Sequence, residues 1–221
     1  MAHRPIFRKP LHRWLAMSYG AVWLWAAVAP AVRFDWFLEN LLIWTMVALM
    51  IAIYRRFPLS DVSYVLITLF LALHTVGAHY TYAGTPVGYW LQDMLGLERN
   101  HYDRVIHFLF GLLMFFPLWE VVARAAQARG RWAAWLTLAI VVSLSALYGI
   151  IEWLVAIIVQ PDAAIAFLGT QGDVFDAQKD SGLAILGAVI AFALQPRLAR
   201  YLTPSTDSPA PARIASDQDQ T

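Results

Sequence analysis

The 221-residue chain is 60% apolar, 14% charged and close to neutral, with a formal net charge of +1. This lies far outside the composition of soluble domains and gives no reason to expect a nucleic-acid partner. There is no cysteine, so disulfides and thiolate metal sites are excluded, leaving imidazole and carboxylate as the strong ligands.

In chain order, residues 1–13 form a basic arm with Arg4, Arg8, Lys9 and Arg13 and no acid. A first apolar segment spans 14–32. Ala27-Val28-Ala29 has the small-residue pattern of a signal-peptide cleavage site, but the run is long for a signal and Pro30 would follow the cut, so a retained span is expected. A second segment, 36–54, ends in Arg55-Arg56, and a third, 62–82, ends among histidines. In the loop that follows, Val87, Trp90, Leu91, Met94 and Leu95 recur at helical spacing. They predict a short amphipathic helix over 86–97, lying in the interface like a lid. Further spans are expected at 104–123, 132–159 and 180–202. The tail, 203–221, has the Pro-, Ser- and Asp-rich composition of a disordered segment.

With the N-terminus in the cytoplasm, twelve Lys and Arg residues fall on the inner side and four (Arg33, Arg99, Arg104 and Lys179) on the outer. The positive-inside rule therefore predicts an all-α, polytopic membrane protein, with six transmembrane helices and both the N-terminus and the C-terminus cytoplasmic.

That orientation gathers the unusual polar residues on the outer side. His74 and His79 close the third span, and His101 sits in the loop. Asp103 and His107 share a face at the start of the fourth span, because residues four apart are neighbours on a helix. Glu152 lies near the end of the fifth, and Asp173, Asp176 and Asp180 are spaced as one helical stripe entering the sixth. Ionisable groups at membrane depth cost at least ~2.5–3.5 kcal/mol each when unpaired, so they face one another or a wet cavity. Gly77 and Ala78 leave room for a close neighbour beside His74.

A bland reading stands beside the functional one. His74 can join helices by a hydrogen bond, His101 can be a solvated loop residue, and the aspartates suit a helix N-terminus. Taken together, His74, His79, His101, His107, Asp173, Asp176 and Asp180 are candidate ligands for a divalent metal such as Zn or Mn. Glu152 and Asp103 are the candidate acid–base pair.

His74-x-x-Gly77-x-His79-Tyr80-Thr81-Tyr82, Arg99-Asn100-His101-Tyr102-Asp103-Arg104-x-x-His107-Phe108, Glu152 and Thr170-Gln171-Gly172-Asp173-x-x-Asp176-x-Gln178-x-Asp180 resemble the YjdF family of bacterial inner-membrane proteins over nearly the whole chain except the tail. The resemblance implies inner-membrane location and six spans, and no reaction. A weaker resemblance, to VanZ-like proteins, rests on Asp103 to Phe108, Glu152, Asp176, Asp180 and Gly187, with Val155 where a glutamine is expected. The function expected from the residues is a membrane-embedded, metal-dependent enzyme whose partners are membrane lipids and a lipid-linked envelope substrate at the outer leaflet. The alternative is a non-catalytic transporter or a lipid- or ion-binding protein using the same cluster.

Overall fold

The computed structural model describes residues 9–54, 57–158 and 170–202. The basic residues before Lys9, Arg55-Arg56, the stretch 159–169 and the tail after 202 lie outside the described residues. All regular structure among the described residues is helical: α1 (Pro10–Ala27), α2 (Arg33–Tyr54), α3 (Asp61–His79), α4 (Pro86–Leu95), α5 (Tyr102–Ala125), α6 (Arg131–Ile158) and α7 (Asp176–Leu202).

Five of these helices are long and apolar enough to cross a bilayer: α2, α3, α5, α6 and α7 over Asp176–Arg197. α1 opens on Pro10, His12 and Arg13 and is not among them, yet it runs parallel to α3 along its whole length. At one end His12 Nε2 is 3.0 Å from Asp61 Oδ1 and Lys9 Nζ donates to the same oxygen. At the other end His79 Nδ1 donates to the Ala26 carbonyl at 2.9 Å.

The helix ends follow local chemistry. Pro10 and Pro86 sit in the first turns of α1 and α4, where a missing N–H costs nothing. The Ser60 side chain accepts the Ser63 N–H to start α3, and Gly96 ends α4 in the left-handed conformation. α1 ends earlier than hydropathy alone suggests, and Ala29 then takes a positive φ. α3 stops at His79 because Thr81 and Tyr82 turn left-handed, with φ of 56° and 52°. α7 begins at Asp176, so Asp173 stands in the preceding turn rather than on the helical stripe expected of it.

Two three-helix groups meet along one seam. α3 packs on α1 and α2, α5 packs on α6 and α7, and α3 and α5 join the halves. Ile43, Ile67, Phe70, Ile106 and Met114 fill the first core; Phe115, Ala134, Val141, Ala188 and Ala191 fill the second. The opposite end of the bundle from the histidines is closed by Glu120. Its carboxylate accepts the Ser60 N–H at 2.9 Å, the Ser63 hydroxyl at 2.6 Å and Arg124 Nη1 at 2.6 Å.

α4 forms over nearly the expected residues, but none of them lines the internal cavity described below. Its apolar side chains Val87, Trp90, Met94 and Leu95 are exposed, as suits a helix resting in the bilayer interface. Gly88 is its inner contact, where a Cβ would lie 1.8 Å from Asn100 Oδ1.

The tightest pair is α5 and α7. A Cβ on Gly111 would stand 1.8 Å from the Ala184 carbonyl oxygen, and one on Gly187 would stand 2.1 Å from that of Phe108. Small residues let two backbones touch where lipid supplies no hydrophobic drive for helix association. Gly111→Ala and Gly187→Ala should each destabilise the protein by about 1–3 kcal/mol. Gly149→Ala and Gly182→Ala, whose Cβ atoms would meet nothing within 4 Å, should leave the melting temperature unchanged or slightly raised. Thermal unfolding in detergent checks both expectations.

Candidate functional site

The site starts with the turn after α3. The left-handed residues Thr81 and Tyr82 fold the chain back, so that the Tyr82 ring covers Gly77, where a Cβ would come within 2.5 Å. The close neighbour that Gly77 admits is therefore a ring from its own segment. Tyr82 brings its hydroxyl to His74 Nδ1. His74 Nε2 faces the Glu39 carbonyl oxygen at 3.3 Å and Glu39 Oε2 at 3.7 Å. Nε2 must therefore donate, and Nδ1 accepts the Tyr82 proton. The Tyr148 hydroxyl in turn donates to Glu39 Oε2 at 3.0 Å. A buried chain of Tyr82, His74, Glu39 and Tyr148 thus links α3, α2 and α6.

The α5–α7 crossing sets a second group beside it. Asp103, His107 and Asp180 each offer a ligand atom, and these atoms all lie within 4.8 Å of one another. His107 Nε2 is 3.6 Å from Asp103 Oδ1. Asp180 Oδ1 is buried with no hydrogen-bond partner among the described residues. One imidazole and two carboxylates suit a divalent ion of the Zn or Mn kind and leave coordination positions open. Glu152 lies within electrostatic reach of Asp103, Glu39 and Asp180.

The first group, and Asp103 and His107 of the second, open on one cavity of about 330 Å³, with Asp180 behind its wall. One end is walled by Glu39, His74, Tyr82, Asp103, His107, Tyr148 and Glu152, and the rest mostly by aliphatic and aromatic side chains of α2, α5 and α6. Such an arrangement can hold a polar headgroup, activate it and keep an apolar remainder dry.

Outside the cavity, a charged cluster clamps the loops that carry the site. Arg99 Nη1 donates to Asp176 Oδ1 at 2.6 Å and to the Thr170 carbonyl at 2.9 Å, and Arg104 bonds Asp173 and Asp176. Asn100, 1% exposed, donates through Nδ2 to the Ala83 and Thr85 carbonyls and accepts the Tyr102 N–H. Its own backbone exchanges two bonds with the Gln171 side chain. Lys179 above all, then the Phe175 N–H and Arg104, hold the Asp173 carboxyl down at about 2. His101 is held below the usual imidazole range by its burial first and by Arg104 and Arg99 next.

The structure thus brings Asp103, His107, Asp180 and Glu152 together and sets His74 at the same cavity. Both ring nitrogens of His74 are engaged by Tyr82 and Glu39, which removes its free lone pair. His79 does not join them: it lies between the Trp25 and Tyr80 rings, bonded to the α1 terminus. His101 faces Arg104, and Asp173 and Asp176 are engaged by the basic side chains. Glu39, Tyr82 and Tyr148 do not appear among the sequence candidates. The available signal for Glu39 was an acid beside Asn40 in the otherwise apolar Phe37–Ile43 run. The tyrosines carried none, since aromatic residues are ordinary in spans.

Comparison with known proteins places the chain in a membrane-protein family. Residues 11–200 match the family described as "Predicted membrane protein (DUF2238)", and the chain belongs to that family. It is 37% identical over 175 residues, 79% of this chain and 83% of the relative, to the inner membrane protein YjdF of Escherichia coli (strain K12). No solved structure matches.

The Asp173 carboxyl has a folded value near 2 against an ordinary 3.8. Its pairing therefore stabilises the fold above 3.8, and that contribution disappears as the pH falls toward 2. Melting temperatures measured across this window should show Asp173→Asn below wild type at neutral pH, with the two curves converging on acidification.

Proposed function

We propose that this member of the DUF2238 family is an inner-membrane enzyme acting on a lipid or lipid-linked substrate at the outer leaflet. In this reading six helices cross the bilayer, α1 included, with both termini in the cytoplasm, and the cavity's polar end faces outward. The distribution of Lys and Arg supports the orientation. The end-to-end parallel run of α1 along α3, with α2 returning between them in sequence, supports the sixth crossing.

Asp103, His107 and Asp180 would hold a divalent metal, which would supply Lewis-acid chemistry toward a phosphoryl or acyl ester. Glu152 takes the proton from the attacking water and returns it to the leaving oxygen as the ester bond breaks. The clamp built on Asn100, Arg99 and Arg104 positions α5 and α7 for this. The observation that carries the reading is a three-member carboxylate–imidazole group, two of whose members, Asp103 and His107, wall a cavity that continues along a long apolar face.

A second reading is favoured by one feature, the Tyr82–His74–Glu39–Tyr148 chain. Hydrogen-bonded titratable groups in spans also form proton relays, and a transporter would use the cluster to couple ion movement.

Metal analysis of protein purified without chelators should find stoichiometric divalent metal in wild type and in Glu152→Gln. It should be lost in Asp180→Ala and His107→Ala. Glu152→Gln should lower phosphate release from lipid phosphates in nanodiscs by roughly 10²–10⁴-fold. Metal-free wild type, or proton flux in liposomes abolished by Glu39→Gln without any turnover, overturns the enzyme reading.

A further inference from the structure

Glu39 has no part in the ester chemistry, yet it lines the polar end of the cavity and is only 6% exposed. Tyr148 donates to its Oε2 at 3.0 Å, and His74 Nε2 stands 3.7 Å from the same oxygen. Neither donor carries a charge, since the His74 ring accepts at Nδ1 the proton of Tyr82. The lining of this end is one-sided. Glu39, Asp103 and Glu152 contribute three carboxyls, and among the described residues no lysine or arginine lines it. Arg99 and Arg104 lie within electrostatic reach of Asp103, but they pair with Asp173 and Asp176 outside the cavity. The strongest charged neighbours of Glu152 are Asp103, Glu39, Asp180 and Asp176, all of them acids. Four residues before Glu39 on the same face of α2, Asp35 adds a buried carboxyl whose two oxygens have no partner among the described residues.

A divalent ion on Asp103, Asp180 and a neutral His107 is balanced by its own two carboxylates. Glu39 and Glu152 are then left without a counter-charge, and without the ion the deficit is larger. Carboxylates at membrane depth are costly unless something positive meets them. An occupant that carries an ammonium relieves the deficit, whereas an anionic one adds to it. The rings of Tyr82 and Tyr148 line the same end and supply aromatic surface of the kind that attracts a cation.

The apolar wall shows from which medium the ammonium comes. Leu49, Leu144, Leu147 and Ile151 line the cavity and are also exposed, so in a bilayer this side of the cavity borders hydrocarbon. A small soluble amine leaves that wall uncovered, and an amphiphile covers it. We propose that the cavity takes a lipid ester whose headgroup bears a primary ammonium, an aminophospholipid of the ethanolamine kind, with the ammonium on Glu39 beside Tyr82 and Tyr148. That this lipid is the substrate rests on the enzyme reading above, whereas its recognition by Glu39 rests on the charge of the wall alone.

The test uses delipidated full-length protein in detergent at neutral pH, with binding read by native mass spectrometry. The probes are phosphatidylethanolamine and phosphatidylglycerol with identical acyl chains, so that only the headgroup differs. Wild type should hold the ethanolamine lipid at least about tenfold more tightly, the scale of one hydrogen bond to a charged group. Glu39→Gln, close in size but uncharged, should remove that preference. Equal binding to wild type, or a preference for phosphatidylglycerol, overturns the proposal whether or not the variant folds, and so does a preference that survives Glu39→Gln. Phosphoethanolamine, the same head without tails, should fail to displace the lipid when added in excess; displacement makes the occupant a soluble amine and overturns the lipid assignment. Metal analysis of the same samples separates the two readings. A preference for ethanolamine in protein that binds no metal leaves the Glu39 site standing and sinks the enzyme reading, and metal-loaded protein without the preference does the reverse.

Discussion

The contact on which the rest depends is the backbone crossing of α5 and α7 at Gly111 and Gly187. Side chains there would hold the helices several ångströms apart, and Asp180 on α7 would no longer reach Asp103 and His107 on α5. Lipid tails are as apolar as the helix surfaces, so close approach has to come from dispersion between backbones and from small residues. Ala184, Ala188 and Ala191, all buried, continue the same strip. The cavity follows from the same crossing: with α7 drawn tightly onto the far side of α5, α6 stands away from α2 and leaves the space between them.

Polar groups at depth are treated in two ways. Glu120 is fully engaged by Ser60, Ser63 and Arg124, and Asp176 by Arg99 and Arg104. These buried acids tie loops and helix ends together, the use of hydrogen-bonded charge that stability alone explains. Asp35 and Asp180 are different, for both oxygens of the first and one of the second are buried without a partner among the described residues, and of the two only Asp180 stands in the group with Asp103 and His107. Leaving such a group unsatisfied is expensive. An acid kept in that condition next to another carboxylate and an imidazole is what a ligand site requires, and a purely structural joint does not.

The two polar networks at this end of the bundle divide the work. The hydrogen-bonded chain of Tyr82, His74, Glu39 and Tyr148 joins α3, α2 and α6 around the polar end of the cavity. The Asn100 and arginine clamps fix the loops behind Asp103 and Asp180. Both rely on local backbone choices: the left-handed Thr81 and Tyr82 in one case, and the glycine opposite Asn100 in the other.

Much of this was legible in the chain. Hydropathy marked the spans, because ~20 apolar residues in a row have few other destinies. The spacing of Asp103 and His107 placed them on one face, because helix periodicity is local. Helix ends were read less well where turn conformation decides, at Ala29, Thr81 and the start of α7. The partners of buried groups were not readable at all. Nothing in the order of residues pairs Glu39 with Tyr148, turns His79 toward Ala26 or occupies both nitrogens of His74, because those pairings arise only when helices distant in sequence pack. Composition and periodicity determined that the chain is a helical membrane protein in which His74, His79, Asp103, His107, Glu152 and Asp180 gather near one end. Which of them share a cavity, and how deep that cavity runs, was decided by how closely glycine and alanine let α5 and α7 approach.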